Sequence, residues 1–166
     1  PETPEREEEV KEVLSICREN NMGVLLFDEH PVKGYGMQED LNVWFTDQAP
    51  DWKLDMKLGN QDLAILIAYK LKVNWEANMR MIGKVHDVEN KEDAKEYLRL
   101  VSEAGRIPNV DVMTRMEGEF DNAPKADLQI IPLPDEVDFE ELRKYKERFG
   151  SSCLFTMDSG EEKALA

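Results

Sequence analysis

Short apolar runs alternate with longer amphipathic stretches along the whole chain. After Thr3, residues Val10, Leu14 and Cys17 recur at helical spacing, and Pro4 fits the first helical position. Thr3 is a favourable N-cap, so a helix is predicted to begin there and to end before Gly23. The same pattern predicts further helices over 61–75, 91–104 and 138–149, and strands over 24–27, 41–46, 79–85, 110–116, 127–131 and 152–157.

Strands that are apolar on both faces and alternate with helices indicate a parallel sheet covered by helices on both sides. The predicted fold class is therefore α/β, with a mainly parallel, doubly wound sheet. The connection over 117–126 is too short for a full crossover helix, so either one helical turn crosses there or one strand runs antiparallel. The short crossover is favoured. The expected core contains Val24, Leu26, Val43, Phe45, Leu66, Ile82, Val112, Ile130 and Phe155.

The charge balance is strongly acidic, with 21 Lys and Arg against 36 Asp and Glu and a net charge of −15. Such a surface repels nucleic-acid phosphates and anionic lipid headgroups. The longest apolar run, 63–69, is far shorter than the ~20 residues of a bilayer span. The N-terminus has no signal segment either. We therefore expect a chain that is soluble by itself, with no nucleic-acid partner and no direct insertion into lipid.

Residue patterns that carry chemistry are sparse. Cys17 and Cys153 are expected to be reduced thiols, and no paired Cys or His spacing points to a metal site. The turns after the strands at 41–46, 79–85 and 127–131 are acidic and lack a glycine-rich phosphate cradle, so no cofactor is predicted. His30, His86 and Ser159 are expected in surface turns without a catalytic partner. The pattern favours a binding or regulatory module over an enzyme.

Trp52 lies in a charged, proline-containing segment over 47–57 that is expected to form an exposed loop. An exposed aromatic side chain is a common anchor for a protein partner. Trp52 is therefore the candidate partner contact, and the candidate site set contains no catalytic, cofactor-binding or metal-binding residue.

Several stretches occur in an order that resembles a known family. They are LNVWF at 41–45, Gly59, LAILIAYKL at 63–71, Trp75, MRMI at 79–82, ADLQIIPLP at 126–134 and the apolar strand with Gly at 152–160. This ordered set resembles the cytosolic C-terminal domain of the cation-chloride cotransporters, within the amino acid–polyamine–organocation superfamily. Animal members carry a long phosphorylation-rich insertion where residues 117–126 are short here, so the chain resembles a prokaryotic member and gives no basis for phosphoregulation.

The resemblance implies a fold like that of the universal stress proteins, on the cytoplasmic side of the membrane. It also implies a regulatory and dimerisation role, with a second copy and the membrane transport domain of the same polypeptide as partners. Residues 1–36 would then come from a preceding subdomain, and 37–166 would form the stress-protein-like domain. The family's ion sites lie in membrane helices, so no transport residue carries over.

Two other functions remain open on the sequence. One is a free-standing nucleotide-binding protein of the universal stress type, which would need a glycine-rich phosphate cradle after the strand at 127–131, where Pro132 and Pro134 stand. The other is an enzyme that uses His86, for which the sequence supplies no partner.

Overall fold

The described strands form one six-stranded sheet. A computed structural model describes residues 3–46, 52–54, 58–116, 118–119 and 122–165. The elements within these ranges are α1 (Pro4–Glu19), β1 (Val24–Asp28), β2 (Asp40–Phe45), α2 (Gln61–Trp75), β3 (Asn78–Val85), α3 (Lys91–Ala104), β4 (Val110–Met116), β5 (Leu128–Pro132), α4 (Phe139–Phe149) and β6 (Ser152–Met157). The α/β fold class with a mainly parallel sheet is confirmed.

The strand order in the sheet is β1-β6-β5-β2-β3-β4, and β1 is the antiparallel member. It pairs with β6, whereas β6, β5, β2, β3 and β4 are parallel to one another. The chain leaves β1 at Asp28, which lies opposite Cys153 near the start of β6. It enters β2 at Asp40, at the same end of the strands. Residues 29–39 therefore stay at one end of the sheet and do not cross either face. A connection of this kind makes β1 antiparallel to β2.

Local chemistry sets the helix ends. The Thr3 hydroxyl accepts a hydrogen bond from the Arg6 N–H, and the Asp138 carboxylate accepts from two N–H groups in the first turn of α4. Helix α4 ends at Gly150, whose φ of 57° is readily available to glycine. Helix α2 ends at Glu76 in the same left-handed region.

The core has two layers, one on each face of the sheet. Helices α2 and α3 cover one face over Val43, Phe45 and Ile130, and α1 and α4 cover the other over Ile82 and Phe155. All five of these expected core residues are buried. Val24, Leu26 and Val112 are only half-buried because they lie on the two edge strands.

The expected burial of Leu66 is wrong, since 38% of its surface is exposed. Helix α2 is apolar on nearly every side, so its sequence does not single out the face that meets the sheet. In the structure the small residues Ala64 and Ala68, with Ile65, face the sheet. They leave Leu66 on the outside of the helix.

The connection between β4 and β5 joins two parallel strands, which confirms the crossover over the antiparallel alternative. Side chains on the sheet hold this connection in place. The Asn42 amide donates to the Pro124 carbonyl at 2.8 Å, and the Arg80 guanidinium donates to the Lys125 carbonyl at 3.2 Å. The sheet itself therefore satisfies backbone groups that a crossover helix would have satisfied internally.

The described C-terminal residues, 158–165, pack against the rest of the fold. Leu165 is buried in the layer under α2 and α3, and the Ala164 N–H donates to the Asp62 carboxylate at 2.7 Å. Asp158 at the start of the tail adds hydrogen bonds to Asn60 and Leu63. Among the described helices, none is long and apolar enough to cross a bilayer.

Candidate functional site

Ligands of open parallel sheets bind beyond the carboxyl ends of the strands, where the strand order reverses. Here that point lies between β2 and β5. A depression of about 400 Å³ occurs there, lined by residues 58–61 and 133–135. The Asn60 side chain crosses it, because its amide donates to the Leu133 carbonyl and its oxygen accepts from the Asp158 N–H, both at 2.6 Å.

The N-terminus of α2, which would face a bound phosphate, is occupied by carboxylates. Asp158 accepts from the Leu63 N–H at 3.1 Å, and Asp62 accepts from the Leu58 N–H at 2.9 Å. Asp158 thus accepts an N–H group at the positive end of the helix, Asp62 adds a second carboxylate in the same turn, and both would repel a diphosphate. The geometry therefore disfavours a nucleotide at the switch point.

Asp158 also contacts the carboxyl group of Glu162. Burial raises the pKa of Asp158 to about 6, and the Glu162 carboxyl adds to this shift. The pKa of Glu162 is lowered instead, because its hydrogen bonds, above all that from the Ser159 hydroxyl, outweigh its burial. Asp158 is therefore the member of this pair that takes up a proton as the pH falls through about 6.

Trp52 is buried, which contradicts the expectation of an exposed side chain. Only 6% of its surface is exposed, and its ring packs edge-on against Tyr97 at 5.6 Å. Gly83 on β3 makes room for the ring, since a Cβ atom there would lie 3.3 Å from it. Residues 47–51 and 55–57 of the expected loop lie outside the described residues. The partner contact through Trp52 stays a prediction, and the side chain has a packing role in the core.

The other residues considered for chemistry have local roles. The His30 Nδ1 atom accepts from the N–H groups of Val32 and Lys33 within one turn. The Ser159 hydroxyl donates to Glu162, and His86 is exposed after β3. Cys17 and Cys153 are free thiols, and burial raises the pKa of Cys153 to about 12. In the described ranges, no group of three His, Cys, Asp or Glu side chains is arranged to hold a metal ion.

Asp127 is a structural anchor that the sequence did not single out. Its carboxylate accepts hydrogen bonds from the N–H groups of Met37, Glu39 and Asp40 at 2.8–3.1 Å. Burial raises the pKa of Asp127, but these three donors outweigh it and hold the pKa below its ordinary value. The carboxylate thus fixes the entry into β2.

A cavity of about 420 Å³ lies between α1 and α4, above β1 and β6. Side chains of Val10, Leu26, Leu142, Phe139 and Phe155 make it largely apolar. Asp28, Arg143 and Lys146 also line it. Lys146 Nζ lies 2.6 Å from an Asp28 carboxylate oxygen, and Arg143 pairs at 2.7 Å with Glu7, which lies outside the lining. Sequence patterns could not reveal this cavity, because its walls come from four separate elements.

The mostly parallel six-stranded sheet with helices on both faces places the chain in the α/β class, without an evident catalytic centre in its described part. Residues 36–165 match the family model described as the second C-terminal domain of the prokaryotic cation-chloride cotransporters. The chain belongs to this family, as the sequence resemblance indicated.

A solved structure supports the same assignment. The crystal structure of the cytoplasmic domain of a prokaryotic cation chloride cotransporter shares 39% sequence identity with this chain, with a TM-score of 0.91. The match covers 99% of this chain and 63% of the solved chain, so this chain spans less than two thirds of that domain. No curated protein matches the sequence.

Proposed function

We propose that the chain is a non-catalytic regulatory and dimerisation domain of a cation-chloride cotransporter and lies on the cytoplasmic side of the membrane. The observation that carries the proposal is the family match over residues 36–165, together with the similar solved domain, whose name describes it as cytoplasmic. The partners of the domain would be a second copy and the membrane transport domain of the same polypeptide.

A division near residue 36 belongs to the proposal. The family match begins at residue 36, which supports assigning 1–36 to a preceding subdomain and 37–166 to the stress-protein-like domain. Strand β1 pairs with β6 in the same sheet, so the two parts pack as one layered unit.

Exposed apolar side chains support self-association. Val32 exposes 87% of its surface and Met37 exposes 76%, and both lie in the connection between β1 and β2. The net charge of −15 opposes the approach of two identical copies, so added salt should strengthen their contact. Tethering to the membrane part would raise the effective concentration to roughly millimolar, so a weak contact is enough.

Sedimentation of the chain over a concentration and salt series tests the proposal. We expect a dimer that grows with concentration and with salt, and that weakens in the double variant Val32→Asp, Met37→Asp. Val88→Asp is the matched control, because Val88 exposes 68% of its surface after β3, away from that connection. A chain that stays monomeric in high salt, with a full-length dimer that survives deletion of this domain, would overturn the dimerisation role.

A further inference from the structure

The cavity between α1 and α4 interrupts the packing of one core layer. Its apolar wall is formed by Val10 and Leu26 from the first part of the chain and by Leu142 and Phe155 from the last part. Protein interiors are close-packed and seldom contain voids much larger than a water molecule. The volume of about 420 Å³ instead falls within the ~300–1,000 Å³ typical of small-molecule sites. The space is therefore large enough for a ligand.

The charged side chains of the cavity are already paired with other groups of the protein. Asp28 and Lys146, which both line it, form an ion pair at 2.6 Å. Arg143, the third charged residue of the lining, pairs at 2.7 Å with Glu7, which lies outside it. A charged ligand would have to displace one of these partners and leave a partly buried charge without compensation, which is costly. The cavity therefore selects an uncharged ligand.

Two aromatic rings indicate the shape of the ligand. Phe139 at the start of α4 and Phe155 on β6 line the cavity and are themselves buried, with 4% and 2% of their surfaces exposed. Aromatic rings favour contact with other rings in edge-to-face or offset arrangements. Two helices and two strands bound the space, so a compact ring system fits it better than a long alkyl chain.

We propose that this cavity binds an uncharged, compact aromatic molecule. Its rings pack against Val10, Leu26 and Phe155, and the ion pair of Asp28 with Lys146 stays intact. Val10 and Leu26 are only half-buried in the free protein, so the contact removes apolar surface from water. The proposal goes beyond dimerisation, and its test does not involve the surface proposed for self-association.

Binding would strengthen the docking of α1. Leu14 is the buried residue of this helix, whereas Val10 on the same helix borders the cavity. A molecule that contacts α1, α4 and β6 together binds best to the state in which both helices are docked, and it therefore stabilises that state. The site would thus couple the concentration of an aromatic molecule to the position of α1.

Two fluorescent probes that share one ring system test the charge argument. N-phenyl-1-naphthylamine is uncharged, whereas 8-anilinonaphthalene-1-sulfonate carries a sulfonate on the same skeleton. In fluorescence titrations of the chain, we expect the uncharged probe to bind saturably with a dissociation constant of about 5 μM or tighter, and the sulfonate to bind at least about tenfold more weakly. Absence of saturable binding of the uncharged probe at about 20 μM, or equal affinity for the two probes, would overturn the proposal.

Variants that fill the cavity locate the binding. Val10→Trp fills it from α1 and removes no charge, so we expect it to abolish binding of the uncharged probe. Val13→Trp is the matched control, because Val13 lies on the same helix, exposes 54% of its surface and is outside the lining. Leu142→Trp fills the space from α4 and should act like Val10→Trp. Unchanged affinity in either folded cavity variant, or equal losses in Val10→Trp and Val13→Trp, would place the probe elsewhere and overturn the proposal.

A variant of the ion pair tests why the ligand is uncharged. Asp28→Asn leaves Lys146 without its carboxylate partner and keeps the size of the side chain at residue 28. We expect it to strengthen binding of the sulfonate probe at least about threefold and to change the affinity for the uncharged probe by less than about twofold. Loss of the uncharged probe in folded Asp28→Asn, or no gain for the sulfonate, would contradict the selection of an uncharged ligand by the ion pair.

Discussion

The Asp127 carboxylate occupies the space next to Gly36 that a side chain would need. A Cβ atom at Gly36 would lie 2.1 Å from the nearer carboxylate oxygen, far inside van der Waals contact. Gly36 also has a φ of 60°, in the left-handed region. The start of β5 and the entry into β2 can therefore meet only because residue 36 has no side chain.

We expect Gly36→Ala to be strongly destabilising. The left-handed backbone alone costs a non-glycine residue roughly 1–2 kcal/mol. The contact with Asp127 adds about 2 kcal/mol or more, because either the carboxylate must leave its three N–H donors or the loop must move. Urea unfolding of the variant measures the sum.

Gly59→Ala is the matched control for this effect. Gly59 has the same φ of 60°, but a Cβ atom there would meet nothing within 4 Å. We expect Gly59→Ala to lower the free energy of unfolding only by the roughly 1–2 kcal/mol that the left-handed backbone costs. Equal losses in the two variants would show that Asp127 does not hold the loop tightly.

Trp52→Ala should lower the free energy of unfolding by about 3–5 kcal/mol, as for other large buried side chains. The reason is the space left against Tyr97 and Gly83. Leu54→Ala, at a more exposed position nearby, should cost less than about 1 kcal/mol. If Trp52→Ala instead left the stability unchanged and weakened only self-association, the side chain would be a partner contact and not a core residue.

The stability of the chain should depend on pH through Asp158. Its pKa is raised from an ordinary 3.8 to about 6, so the folded state binds this proton more tightly than the unfolded chain. Its contribution is present at low pH and is lost as the pH rises through about 6. Glu162, whose pKa is lowered, contributes in the opposite direction and partly offsets it.

Asp158→Asn removes this titration and keeps the size of the side chain. Its NH2 group cannot accept one of the two backbone N–H groups that Asp158 now accepts, from Leu63 and Gly160, but this loss is the same at both pH values. Relative to the variant, the unaltered chain should lose about 1 kcal/mol between pH ~5 and ~7.5, a value reduced for solvent screening. Urea unfolding at both pH values measures the difference. Glu161→Gln, at an exposed position in the same tail, should show no such change, and a parallel pH response in both variants would contradict the assignment to Asp158.

Nucleotide binding should be weak or absent at the carboxyl edge of the sheet. Because Asp62 and Asp158 occupy the N-terminus of α2, we expect Mg-ATP to bind no more tightly than ~100 μM. Calorimetric titration checks this. A tighter complex that also shifted the amide signals of Asn60 and Leu63 would revive the nucleotide-binding alternative.

Most of the secondary structure was predictable because local signals are strong. Thr3 and Gly150 mark helix ends by capping and backbone preference, and the apolar runs of β2, β3 and β6 contain residues that favour strands. The parallel direction of most strands was predictable because their sequences are apolar on both faces, as in strands that helices cover on both sides. These signals act within a few residues, so a single sequence contains them.

Other features of the structure depend on distant partners, and the sequence does not reveal them. Trp52 is buried because Gly83 on another strand leaves room for its ring, and Leu165 is held because Asp62 offers an acceptor to the tail. Strand β1 is antiparallel because residues 29–39 join its end to the start of β2 at the same end of the sheet. No local pattern carries this information, and the cavity between α1 and α4 was missed for the same reason.

The connection between β4 and β5 is hydrogen-bonded to the sheet near its end, at some distance along the chain from the point where β4 stops. Among the described residues of this connection, Asn42 and Arg80 bond to its last part, at Pro124 and Lys125, while Met116 ends the strand before it. Residues inserted between Met116 and Pro124 would leave both hydrogen bonds intact. Doubling the length of a flexible loop adds only about 0.6 kcal/mol to the entropic cost of closing it. The fold can therefore accommodate an insertion in this connection, and relatives could carry additional segments there without any change in the sheet.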